Sequence, residues 1–107
     1  MKSIGLVEVE SVAAAVTCLD LMCKAAEVSF ITWERKLGGR LVTIIVEGQI
    51  SAVKAAVEAA EQGSIIPPAA TAVIASPHSE TERMVMLSAS RIEKKNKEQS
   101  KQHLQEV

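Results

Sequence analysis

Residues 41–47, Leu-Val-Thr-Ile-Ile-Val-Glu, form a run that is nearly all apolar. A strand of this composition has no face to offer water, so it is expected to be central and buried on both faces. Residues 3–10 read as a second strand, because Val7 and Val9 alternate with Glu8 and Glu10. Ser11 is then a suitable N-cap for a helix. The apolar residues Val12, Ala15, Val16, Leu19, Met22, Cys23 and Ala26 recur there at spacings of three and four. Residues 27–35, Glu-Val-Ser-Phe-Ile-Thr-Trp-Glu-Arg, are rich in β-branched and aromatic types and predict a further strand. Lys36-Leu37-Gly38-Gly39-Arg40 joins it to the apolar run, and the paired glycines allow the positive φ of a hairpin turn.

Gly48 ends the apolar strand, and residues 50–62 predict a second helix. Val53, Ala56, Val57 and Ala60 face inward, while Lys54, Glu58 and Glu61 face outward. Gly63 fits the stop position. Pro67-Pro68 forbids helix and opens a strand from Ala70 to Ala75. Ser76-Pro77-His78 turns the chain, and Ser79 is expected to cap a short helix over 80–87. Residues 88–107 change character, with many Lys, Glu and Gln, and read as a charged tail that is disordered or a solvated helix. The succession β-α-β-β-α-β-α predicts one α+β sandwich over residues 1–87, a four-stranded antiparallel sheet with two long helices on one face.

Composition narrows the function. The chain has 107 residues, and its 48% apolar content is mostly small side chains, with Phe30 and Trp33 the only Phe, Trp or Tyr. Such a core buries little area per residue, so self-association would add stability. The net charge of -1 offers no basic field for nucleic acid or an anionic membrane. No apolar stretch approaches the roughly 20 residues of a membrane span, and no signal-peptide pattern is expected. Cys18 and Cys23 are expected to be reduced packing residues. No nucleophile–histidine set or phosphate-cradling loop is legible, and Glu8 with Glu10 reads as solvated strand ends, so no enzyme is expected. His78 and His103 lack partners at ligand spacing, so neither a metal nor a cofactor is expected.

Four segments carry a resemblance. Ile4-Gly5-Leu6-Val7-Glu8-Val9 resembles the opening strand of the single-domain, hexamer-forming shell proteins of bacterial microcompartments. Leu21-Met22-Cys23-Lys24-Ala25-Ala26-Glu27-Val28 is similar to the end of that family's first long helix. Residues 41–56 resemble its central strand and following helix, and Val73-Ile74-Ala75-Ser76-Pro77-His78 resembles its closing strand and Pro-His turn. The similarity runs in order over residues 3–87.

The resemblance implies a permuted ferredoxin-like fold and a homohexamer around a central pore. It implies tiles that join other shell proteins, and a place in a shell within the bacterial cytoplasm that encloses enzymes. Lys36, Leu37, Gly38, Gly39 and Arg40 would line the pore, in a loop one residue longer than the usual form. Positive charge there would favour small polar or anionic metabolites. Lys24, Ser76, Pro77 and His78 would lie at the hexamer edge. The family's arginine before Pro-His is Ser76 here, and a hydroxyl does not replace a guanidinium fork. Two other readings fit the same residues. One is a non-hexameric, shell-associated adaptor that recruits cargo through its tail. The other is a small ligand-binding regulatory domain.

Overall fold

The computed structural model describes residues 1–35 and 40–106. Among them the elements are β1 (Ser3–Val9), α1 (Val12–Ala25), β2 (Ser29–Arg35), β3 (Val42–Gly48), α2 (Ile50–Gly63), β4 (Ala70–Ile74) and α3 (Ser79–Glu106). The strands lie side by side as β2-β3-β1-β4, and every neighbouring pair is antiparallel. β3 separates β1 from β2, and β1 separates β3 from β4. Each strand–helix–strand crossover therefore skips one strand, and the two crossovers interleave. This is the ferredoxin-like βαββαβ succession read directly along the chain, with α3 appended. The apolar run at 42–48 is an inner strand, as its composition requires.

The first face of the sheet carries α1 and α2. Val7, Val9, Val42, Ile44 and Val46 meet Ala15, Cys18 and Met22 from α1 and Val53, Ala56, Val57 and Ala60 from α2. The four inward residues expected on α2 are its four buried ones. Gly5 lets that helix approach closely: a Cβ there would sit 2.9 Å from Val53 Cγ1 and 3.0 Å from Val57 Cγ2. Ser11 caps α1 as expected, its Oγ accepting from the Ala14 N–H at 3.1 Å.

The stripe on α1 is rotated from its expected position. Ala15, Cys18 and Met22 are buried, whereas Val12 is 41% and Val16 63% exposed. Cys18 packs as expected, with Sγ 3.0 Å from Ser64 Oγ, but Cys23 is exposed and does not pack. Ala15 and Cys18 are small, so α1 can turn them inward and lie close to α2.

The second face is covered by α3. Ile4 and Ile45 pack with Val85, and Leu6, Ile31 and Ile74 add partly buried surface. The expected short helix over 80–87 and the expected tail from 88 form one helix, because residues 79–106 hold no glycine or proline to end it. Ser88, placed at the start of the tail, is only 6% exposed. Its Oγ lies 2.9 Å from Thr32 Oγ1 in a buried hydroxyl pair. Val85, Ser88 and half-buried Ile92 follow helical spacing along this contact.

A β-bulge in β2 serves both faces. Phe30 pairs with Val46 and Thr32 with Ile45, which leaves Ile31 as the extra residue. The insertion turns Ile31 and Thr32 together towards α3, while Phe30 and Trp33 both lie on the α1 side. An unbulged strand would place Phe30 and Thr32 on one face.

The hydroxyl pair yields a clear expectation. Ser88→Ala leaves Thr32 with a buried unpaired hydroxyl, at a loss of about 1–3 kcal/mol. Adding Thr32→Val removes both partners and recovers most of that loss. Urea unfolding of both single variants and the double variant measures the coupling, and additive losses would show that the pair carries no special weight.

Candidate functional site

The residues singled out in the sequence fall at opposite ends of the sheet. At one end Arg35 of β2 pairs with Val42 of β3, and Val9 of β1 pairs with the same residue. Arg40 lies at this end, an exposed residue in a bend just before β3. Lys36, Leu37, Gly38 and Gly39 lie outside the described residues. At the other end Ser3 pairs with Gly48, Ser29 with Glu47 and Ile4 with Ile74. The chain leaves α1 and enters β2 there, and it leaves β4 there into Ser76-Pro77-His78. Strands of seven residues, each rising about 3.3 Å, hold the two ends roughly 20 Å apart.

Lys24 belongs to the last turn of α1, where a cation complements the helix dipole. Its Nζ lies 2.7 Å from Asp20 Oδ2, with both side chains more than half exposed. An exposed pair at this spacing adds only about 0.3–0.5 kcal/mol. The ammonium is therefore accessible and is not needed to hold the helix.

Ser76 is exposed in the bend after β4, Pro77 is half-buried and His78 is exposed. The cap of α3 is His78 rather than the expected Ser79. Its Nδ1 accepts from the Glu80 N–H at 3.1 Å, and its carbonyl accepts from the Glu82 N–H at 2.9 Å. The imidazole thus satisfies one of the open donors of the first turn. Glu80 and Glu82 complement the positive end of the dipole. Glu82 also lies 3.3 Å from the N-terminal ammonium of Met1, tying the start of the chain to α3.

Among the described residues no group of three or more His, Cys, Asp or Glu side chains is placed to hold a metal. No described helix is long and apolar enough to cross a membrane. Among the described residues, sequence reasoning missed the apolar surfaces beside α1. One is a groove of about 150 Å³ lined by Val12, Ala15, Val16, Leu19, Phe30, Trp33 and Ile44. The other is the Ile65-Ile66 pair before Pro67, with Ile65 99% exposed. The second had a legible signal, since adjacent isoleucines outside any strand or helix have no core to enter.

Comparison with known proteins follows the same geometry. The family model of the BMC domain matches residues 3–77, from the start of β1 to the turn after β4. The bacterial microcompartment shell protein PduA of Citrobacter freundii is 37% identical over 86 residues, covering 78% of this chain and 91% of that protein. The carboxysome shell protein CcmK2 of Synechocystis sp. is 37% identical over 87 residues, covering 75% of this chain and 81% of that protein. The microcompartment shell protein EutK of Escherichia coli is 41% identical over 59 residues, covering 55% of this chain and 35% of that protein. The crystal structure of a microcompartment protein from Desulfitobacterium hafniense matches with a TM-score of 0.69 at 26% identity. It covers 82% of this chain, which spans about half of that one (48%). The open α+β sheet thus has the fold of a microcompartment protein. The chain belongs to the BMC domain family, and the relatives it matches are structural shell components.

The cap on α3 can be checked directly. His78→Ala removes the only side-chain cap seen on this helix among the described residues, and a lost cap lowers stability by about 1 kcal/mol. His78→Asn keeps a side-chain acceptor and is expected to stay near the wild type in thermal melting.

Proposed function

We propose that this chain is a structural shell protein of a bacterial microcompartment and not an enzyme. It assembles as homohexameric tiles around a central pore that passes small polar or anionic metabolites. The observation that carries this reading is the family match from Ser3 to Pro77, joined to shell-protein relatives that the chain covers to 91% and 81% of their length. The placement of the singled-out residues supports it. A tile built around an axis needs one end of each subunit at the axis and the other towards neighbouring tiles, and Arg40 and Lys24 belong to opposite ends. The chain would then reside in the shell within the bacterial cytoplasm, beside other shell proteins and around the enclosed enzymes.

Arg40 gives the pore its sign. Repeated around a six-fold axis within about 10 Å, guanidinium groups repel one another strongly unless anions screen them. A ring of this kind lowers the barrier for anions and raises it for cations. At the rim, Ser76 supplies a hydroxyl where the family pattern has a guanidinium, so edge contacts between tiles depend more on Lys24.

Sedimentation of the purified chain is expected to show a species near six times 11.4 kDa. Lys24→Ala is expected to keep that species and to lose extended sheets in electron micrographs. Sheets of unchanged order would remove Lys24 from the edge. A single species of 11.4 kDa would overturn the tile. It would favour the second reading, a shell-associated adaptor. One observation speaks for that reading: beyond Ile92, α3 continues as a helix with exposed Glu93, Lys94, Lys95, Lys97 and Glu98, outside the core.

A further inference from the structure

α1 divides the helical layer into two flanks. On one flank Ala13, Ala14, Thr17 and Cys18 border Ser64, Ile65 and Ile66. On the other, Val12, Val16 and Leu19 border Phe30 and Trp33. The first flank carries a knob. Ile65 is 99% and Ile66 59% exposed, and Pro67-Pro68 fixes the backbone directly behind them. The second flank carries a hole. Its walls are aliphatic and aromatic carbon, and its volume is about 150 Å³. An apolar cavity of ~150 Å³ takes up benzene, so the four-carbon side chain of an isoleucine fits. Val16 and Phe30 stand 63% and 43% exposed at its mouth, which leaves it open to an incoming side chain.

The charges beside the two features are opposite. Arg35 stands at the groove, its guanidinium 6.0 Å from the centre of the Trp33 ring. Glu61, four residues before Ile65, accepts the Thr71 hydroxyl at 2.6 Å beside the edge strand β4. Among the described residues neither charge makes an ion pair within its own chain.

We propose that Ile65 and Ile66 of one copy seat in the groove formed by Val12, Val16, Phe30 and Trp33 of the next copy, with Glu61 facing Arg35 across the joint. The inference rests on the assembly reading above and adds which surfaces meet. Knob and groove lie on opposite flanks of α1, so neither can fill the other within one chain. Contacts between copies then run head to tail, and such a contact closes into a ring when its rotation divides a full turn. The paired surfaces also explain the rotation of α1, which leaves Val12 and Val16 at the groove rather than in the core.

Two variants that each break one half of the joint test this. Ile65→Asp destroys the knob and keeps the groove; Val16→Asp destroys the groove and keeps the knob. Both positions are exposed, so each variant is expected to keep a cooperative thermal transition, lowered only by the stability that assembly adds, and Phe30→Lys serves as a second groove variant. Each variant alone is expected to sediment near 11.4 kDa. An equimolar mixture is expected to form a species of twice that mass and nothing larger, because one intact knob meets one intact groove and both free ends are blocked. If the wild type forms rings and Ile65→Asp forms them equally well, the joint is wrong while the assembly reading stands. If the mixture stays at 11.4 kDa, the joint is likewise overturned. If the wild type itself is a lone subunit, both fall.

Discussion

The structure depends on the central pair of strands, β1 and β3, which must be shielded from water on both faces. Val42, Ile44 and Val46 point to one side and Ile45 to the other, and Val7 and Ile4 do the same across the pair. A single layer of helices would leave Ile4, Leu6, Ile45 and Ile74 wet. Burying apolar side chains of this size is worth about 1.5–3 kcal/mol each, so the second face cannot be left open at little loss. α3 is therefore part of the core. Its buried serine fits because Thr32 stands opposite with a matching hydroxyl.

The bulge at Ile31 reconciles the two faces. A regular strand alternates its side chains and serves each face every second residue. The extra residue instead places Ile31 and Thr32 under α3 and sets Phe30 and Trp33 beside α1. The only two large aromatics of the chain thus line the same flank. Val12, Ala15, Val16 and Leu19 of α1 do not cover their full width, and the uncovered part is the groove.

Much of this was legible in the residues. The unbroken apolar run fixed an inner strand, and α2 showed its stripe because charged residues fill its other side. α1 was ambiguous, since Ala13, Ala14, Ala15 and Cys18 are nearly equivalent in size and permit more than one rotation. The first turns of α3, over 80–87, were legible, but the Lys- and Glu-rich composition that follows concealed the continuation in which Ser88 and Ile92 still pack, and a hydroxyl pair leaves no periodic trace. His78 and Ser79 are both competent caps, and only the geometry separates them. Of the candidate site, the resemblance named Arg40, Lys24 and Ser76-Pro77-His78, and the topology puts them at two ends of one sheet. Lys36 to Gly39 lie outside what the structure describes. The bulge has no signature in Ser-Phe-Ile-Thr-Trp, so the groove it makes could not be read from the chain.

Small side chains link the fold to its proposed use. Alanine and glycine let α2 settle on β1 to the limit set by Gly5, and they let α1 lie close to α2. The same residues have little reach, so the margins of the helical layer stay uncovered and the apolar residues at 12, 16, 30, 65 and 66 remain in contact with water. A chain meant to remain alone would be expected to carry charge at such margins, as its own α2 does with Lys54 and Glu58. Keeping them apolar, on two flanks that face away from each other, suits a subunit whose missing cover is supplied by its neighbours. In a closed ring every flank is filled and no copy is terminal, which is the condition a tile must meet before its opposite ends can serve as axis and rim.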